Sequence, residues 1–363
     1  MINTLYILGA GASIGAKRFP TKYYEQKRNM PSGQNFFSDI FEQPGASKNG
    51  LDFFNIMGEL YEGLNQMIQQ AWKLDPERQF WDRNEWKNIN IEDVFTFIDI
   101  GTSLYPRNSH YRKIFELSRE SLIDFIFISI SMRTLGQRCE YLEKLFKDIK
   151  NDDNIITFNW DTIVDTTLEY LKTEHYNNYL SLFHNNKIHY KKYAKKGLLL
   201  KLHGSLNWMI CQNKVCDYFK KIQIITSQQD TSLKNLSLSD FKDCPHCGNR
   251  MEIFIVPPTS NKIDIFRNNF ISKQWLIVRE KLRFTKKLVF IGYSFPPTDF
   301  YSEWLFRQVN FLIDKNKNFQ TFEIDVINPD CITKRSVTYH RYKRIFNRHN
   351  VKYYKDLKSY VEK

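Results

Sequence analysis

Three groups of side chains in this 363-residue sequence have types and spacings suited to chemistry. Asn159 and Asp161 stand two residues apart at the end of a short apolar run, in the segment Thr157-Phe158-Asn159-Trp160-Asp161. An amide that can orient a hydroxyl or a water, beside a carboxylate that can hold a polar group, suits a ligand crevice at the carboxyl end of a strand. His203 follows a second such run, in Leu202-His203-Gly204-Ser205. Its imidazole titrates near enough to neutrality to take or give a proton. Each group also has a plainer use: Asn and Asp are good helix caps, so Asp161 can simply start the next helix, and a lone histidine is more often structural than catalytic.

The third group is sulfur. Cys211 and Cys216, followed by Cys244-Pro245-His246-Cys247-Gly248, give a Cys-x4-Cys and a Cys-x2-Cys pair. Two knuckles of this kind supply the four soft ligands that tetrahedral Zn2+ requires. His246 could replace one sulfur, and a ribbon without metal is the plainer alternative. Cys139 and Cys331 have no paired neighbours and are expected to be buried packing residues.

Two further segments are built for close approach. Gly9-Ala10-Gly11-Ala12-Ser13 ends the first apolar run, and its missing side chains would let backbone N–H groups reach a diphosphate at a helix N-terminus. The third glycine of the dehydrogenase fingerprint would fall at Ile14, however, and no acidic residue stands at a clear strand end about 20 positions on. That misfit counts against hydride transfer, and a tight turn without a ligand remains the alternative. Gly292-Tyr293-Ser294 and Asn328-Pro329-Asp330 are two more polar exits from apolar runs. Gly292 and Ser294 suit a ribose or phosphate contact, and either segment could serve only as a turn.

These residues require elements to hold them. Short β-rich runs fall at 5–8, 155–158, 198–202, 253–256, 288–291 and 322–327. Most are continuous rather than alternating, as in strands buried on both faces of a parallel sheet. The expectation is an α/β fold: a doubly wound, Rossmann-like parallel sheet of about six strands. Residues 36–150 show helical spacing without a convincing strand and read as a helical insertion, with Asn90 ahead of Glu92 and Asp93 as one helix start. Residues 206–251 carry four of the cysteines and read as a small zinc-ribbon-like insertion. With no internal repeat or Pro/Gly-rich linker, residues 1–363 are expected to form one domain with both insertions packed on it.

Composition bounds the function classes. With 42% hydrophobic and 15% aromatic residues the chain is globular in type. The formal charge of +13 admits an anionic partner such as nucleic acid, but the basic residues are spread out, in short runs such as Lys191, Lys192, Lys195 and Lys196. The longest apolar stretch, near 122–132, is interrupted by Asp124 and falls far short of the ~18 residues that span a bilayer. The strand-like run from Thr4 leaves no room for a cleavable leader, so the expectation is a cytoplasmic protein without membrane association.

Taken in order, Gly9-Ala10-Gly11-Ala12-Ser13, Thr157-x-Asn159-x-Asp161, His203-Gly204, the two-pair cysteine ribbon, Gly292-x-Ser294 and Ile327-Asn328 resemble the sirtuin signature. The match is collective and covers nearly every strand end. The resemblance implies that the turn from Gly9 through Ala10 and Gly11 to Ser13 holds the NAD diphosphate. It places Asn159 and Asp161 at the nicotinamide ribose and carboxamide, makes His203 the catalytic histidine, and puts Ser294 and Asn328 at the adenosine half. Cys211, Cys216, Cys244 and Cys247 would hold a structural zinc.

Departures from the protein-deacylase branch redirect the expected activity. After the glycine turn, deacylases carry a Gly-Ile-Pro-Asp-Phe-Arg-like run, where this chain has Phe19-Pro20-Thr21-Lys22-Tyr23-Tyr24. After the ribbon, their Phe-Gly-Glu-like segment is replaced by Ile255-Val256-Pro257-Pro258-Thr259-Ser260. Two prolines remove backbone donors that a substrate peptide would need to add as a strand. The sequence is thus more similar to the divergent bacterial sirtuin-like proteins that degrade NAD in antiphage defence. This resemblance implies an NAD glycohydrolase that is silent until infection, gated by homo-oligomer assembly, by a HerA-like partner ATPase or by a sensor protein. An NAD-dependent protein deacylase, and a non-catalytic subunit that senses NAD or ADP-ribose or binds nucleic acid, are the alternatives.

Overall fold

The computed structural model describes residues 3–14, 30–31, 33, 36–37, 62–74, 88–184, 196–219, 221–236, 240–257, 259, 268–312 and 321–363. The segment at 19–24 and the lysines at 191, 192 and 195 lie outside the described residues.

Residues 1–27, 134–256 and 262–363 form one compact unit. Its centre is a six-stranded sheet of β1 (Thr4–Leu8), β2 (Asn154–Thr157), β3 (Leu199–Lys201), β7 (Lys287–Ile291), β8 (Glu323–Ile327) and β9 (Asn350–Tyr354), in the order β3-β2-β1-β7-β8-β9. Every pairing is parallel: Tyr6 sits opposite Ile155 on one side and Val289 on the other, and Ile291 opposite Ile327. The chain builds outward from β1 through β2 to β3, then returns to β1's other edge and builds outward again. This is the Rossmann order, with its switch point between β1 and β7, where ligands bind outside the carboxyl ends.

Side chains on opposite faces of β2 and β3 are all buried, which explains the unbroken apolar runs. The pattern at β9, Asn350-Val351-Lys352-Tyr353-Tyr354, is only partly buried because this strand closes an edge. Its apolar signal is weak, and the sequence reading omitted it. That reading instead placed 253–256 in the main sheet. The residues belong to β6 (Met251–Ile255), which pairs antiparallel with β4 (Gly204–Cys211) in a separate three-stranded sheet completed by β5 (Gln223–Ile224). A buried apolar run does not reveal its pairing partner.

Helices return the chain from each parallel strand to the next: α6 (Ile163–Tyr170) and α7 (Glu174–His184) between β2 and β3, α8 (Asn269–Leu282) before β7, α9 (Phe300–Arg307) after it, and α10 (Val337–Ile345) between β8 and β9. Their starts follow capping chemistry: Asn268 accepts from Phe270 N and Ile271 N, and Ser336 accepts from Tyr339 N. Cys139 and Cys331 are buried in this core, as their isolation in the sequence suggests.

Residues 28–133, with 257–261, form a second compact unit. Its described helices are α2 (Glu62–Trp72), α3 (Ile91–Leu104) and most of α4 (His110–Thr134). Asn90 caps α3 by accepting from Glu92 N, as its place in the sequence suggests. Gly101 lets α3 approach α4 closely, since a Cβ there would stand 2.5 Å from the Phe115 ring. The helical reading of 118–149 is interrupted at Gly136, which takes a φ of +72°, and resumes in α5 (Glu140–Phe146).

Candidate functional site

At the carboxyl ends of β1 and β2, five residues singled out in the sequence, Gly9, Ser13, Thr157, Asn159 and Asp161, are joined by hydrogen bonds. The short helix α1 (Ala10–Ile14) presents Ser13, whose hydroxyl donates to Asp161 Oδ2 at 2.6 Å. Asn159 Nδ2 donates to Gly9 O and to Ser13 Oγ, each at 2.9 Å. A carbonyl only accepts, so the Gly9 contact fixes which way the Asn159 amide points. Neither contact uses its amide oxygen. Thr157, fully buried, accepts Asn159 N at 3.0 Å through its hydroxyl and locks the turn.

Asp161 is buried, and burial raises its carboxyl above the ordinary aspartate range against the pull of the Ser13 hydroxyl, Lys201 and the Ile163 N–H. Asp161 Oδ1 accepts that N–H at 3.0 Å and so does cap the first turn of α6, although Thr162 is the terminal residue. The capping use and the polar cluster therefore coexist on its two oxygens. Beneath it, Lys201 Nζ donates to Asp161 O at 2.7 Å and pairs with Asp165 Oδ2 at 2.6 Å, with both charged side chains fully buried. Sequence reading missed Lys201. A lysine within the apolar run of β3 is the signal that would have found it.

The glycines fit against one another. Gly9 N donates to Ile291 O, Gly11 N to Gly292 O and Gly292 N to Ile327 O, each at 2.9 Å. Gly292 has a φ of +59°, and a Cβ on it would stand 2.3 Å from Ala12 N and from Gly11 C. The glycine turn therefore serves packing of the β1 exit on the β7 exit, whatever else it does. Ala10 is exposed beside this seam. Ser294 is half-buried, with its carbonyl accepting from Arg341 Nη1 at 3.3 Å. Asn328 caps its own turn by accepting from Asp330 N at 3.0 Å, and donates to Tyr293 O at 3.3 Å.

His203 sits between the two sheets. Its backbone oxygen accepts from Val256 N at 2.8 Å, and Gly204 then opens β4 with a φ of +77°. The buried imidazole meets the Phe158 ring edge-on at 5.0 Å, and Phe158 in turn stacks on Tyr293 at 4.6 Å. Phe158 thus links His203 to the Asn159 turn. His203 Nε2 faces Asp299 Oδ2 at 3.5 Å, and Tyr293 donates its hydroxyl to the same oxygen at 2.7 Å. Burial, then the Asp299 carboxylate, push the Tyr293 phenol well above the ordinary tyrosine range.

The four ribbon cysteines form a separate site. Their Sγ atoms all lie within 4.8 Å of one another, with Cys211 and Cys247 at 3.6 Å and Cys216 and Cys244 at 3.8 Å. A tetrahedron of Zn–S bonds near 2.3 Å places sulfurs roughly 3.8 Å apart, so the set fits zinc. His246 is not needed as a ligand and stacks on Tyr218 at 3.7 Å. Cys211 ends the strand that begins beside His203, which places the cluster on the order of 20 Å away.

No family model and no curated protein matches the chain. Among solved structures, one described as giving the structural basis of sirtuin substrate affinity is 12% identical over 99% of this chain and 91% of its own, with a TM-score of 0.38. Strand order and register, rather than so distant a likeness, establish the fold. Among the described residues no helix is long and apolar enough to cross a membrane.

Proposed function

We propose that the protein is an NAD glycohydrolase that converts NAD and water to nicotinamide and ADP-ribose. The observation that carries this reading is the hydrogen-bonded set of Ser13, Asn159 and Asp161 at the carboxyl ends of adjacent Rossmann strands, with His203 one aromatic ring away. The sequence resemblance to NAD-degrading sirtuin-like proteins supplies the substrate. In the reaction the bond between ribose C1′ and the nicotinamide nitrogen breaks, and nicotinamide leaves with the bonding pair, which neutralises its ring. Water oxygen bonds to C1′ and gives up a proton.

The roles follow from the groups. Asp161 binds the carboxamide, Asn159 uses its remaining amide oxygen to orient water or a ribose hydroxyl, and His203 accepts the proton or holds a ribose hydroxyl. Gly9, Ala10, Gly11 and Ser13 line the diphosphate, Thr157 supports the turn, and Gly292, Ser294 and Asn328 face the adenosine half. Positioning of this kind supplies much of a rate acceleration. Uncontrolled NAD loss kills a cell, so the activity in antiphage defence is gated by homo-oligomer formation, a partner ATPase or a sensor. Chromatography of NAD incubated with the protein, alone and with the products of neighbouring genes, is expected to give equal nicotinamide and ADP-ribose. Nicotinamide released only in step with deacylation of an added acyl-lysine peptide would replace this reading with a deacylase.

A further inference from the structure

Asp299 immediately precedes α9, the position where an aspartate ordinarily accepts the helix's first N–H groups, yet its side chain makes no capping bond. The carboxylate instead turns inward, almost wholly buried, where Oδ2 accepts the Tyr293 hydroxyl at 2.7 Å and faces His203 Nε2 at 3.5 Å. Ser302 completes the frame: its hydroxyl contacts Tyr293 OH and reaches Asp299 O at 2.7 Å. Tyr293 is itself held by stacking on Phe158. The Tyr293 hydroxyl from the β7 exit thus holds a buried carboxylate opposite one ring nitrogen of the histidine, while Ser302 of α9 braces the Tyr293 hydroxyl and the Asp299 backbone.

We infer that Asp299 is the positioning carboxylate of His203, holding the proton on Nε2 and so setting which tautomer of the imidazole the site contains. A carboxylate can only accept, so any hydrogen shared across that 3.5 Å separation is carried by Nε2. Which nitrogen is protonated decides which can work as base, and a carboxylate partner sets that choice without itself reacting. Asp299 therefore acts through His203 and need not touch NAD. The inference rests on His203 being the working histidine of the proposed hydrolase.

The test uses the full-length protein with 15N-labelled histidine. The chain has 8 histidines, and comparison with His203→Ala assigns the relevant pair of ring nitrogens. Wild-type protein is expected to show Nε2–H as the dominant form, and Asp299→Asn, whose neutral amide accepts less strongly and can also donate, to shift the population toward Nδ1–H. In parallel, Asp299→Asn is expected to lower kcat for NAD about 10- to 1,000-fold with KM within about threefold. If that variant fails to fold, Tyr293→Phe keeps the ring stack, deletes the hydroxyl that pins Asp299, and is expected to shift the same signals less far. Unchanged His203 signals in the folded variant overturn the inference, as does unchanged kcat. Absence of NAD cleavage by wild type strikes the proposed function instead, and the nitrogen signals still decide whether Asp299 positions His203.

Discussion

Replacing Lys201 with methionine tests how the floor of the site is held. Lys201 Nζ lies 2.6 Å from Asp165 Oδ2 and 2.7 Å from Asp161 O, with the ion pair fully buried. Methionine preserves much of the stem but removes the ammonium, which leaves Asp165 charged and unpaired in the core. Breaking such a pair costs about 3–5 kcal/mol, and the Asp161 carbonyl left without its donor adds roughly 1 kcal/mol or more. Against a total stability of about 5–15 kcal/mol, Lys201→Met should lower the urea midpoint severely. Asp161, already raised by burial, also loses the Lys201 charge that opposes the rise. The double variant Lys201→Met/Asp165→Leu removes the stranded charge and should recover at least half of the loss, since buried pairs are often replaceable by apolar groups. Urea unfolding followed by tryptophan fluorescence and circular dichroism measures both. A single variant within about 1 kcal/mol of wild type, or a double variant no better than the single, refutes the reasoning.

Other outcomes follow from the same geometry. Because burial raises Asp161's folded-state pKa, its contribution favours folding most below the ordinary aspartate value near ~3.9 and fades as pH rises through the raised value. Asp161→Asn should therefore flatten the fall in melting temperature as pH rises above that ordinary value, which a series of melts at different pH values would reveal. Gly292→Ala must accept both a φ of +59° and a Cβ 2.3 Å from the glycine turn, and is expected to cost more than about 2 kcal/mol in chemical denaturation. The purified protein should carry close to one zinc per chain by elemental analysis, and Cys244→Ser should lose most of it along with thermal stability, since all four sulfurs converge.

The main sheet was legible where strands are buried on both faces, as at β1, β2, β3, β7 and β8. It failed at β9, whose half-buried Asn350-Val351-Lys352-Tyr353-Tyr354 carries little apolar signal at the edge. It also failed at β6, because burial reports an environment and not a partner. Among the candidate site residues, Ser13, Asn159 and Asp161 were visible because each follows a strand end, and hydrogen bonds join the three. Lys201 and Asp299 were not, since their importance lies in contacts 36 residues away in one case and with His203 in the other. Local spacing carries no record of such partners. The glycines show the converse: Gly9, Gly11 and Gly292 were read for a ligand, and their close mutual packing is an equally strong reason for them.

The most direct test of the central claim is the rate of nicotinamide and ADP-ribose formation from NAD by wild type, Asn159→Ala and His203→Ala, alone and with neighbouring gene products, with folding of each variant verified by melting. The account predicts equal amounts of the two products from wild type and a loss of at least about 100-fold in each variant. A folded Asn159→Ala or His203→Ala protein that cleaves NAD at the wild-type rate would contradict it, as would wild-type protein that cleaves none in any of these mixtures.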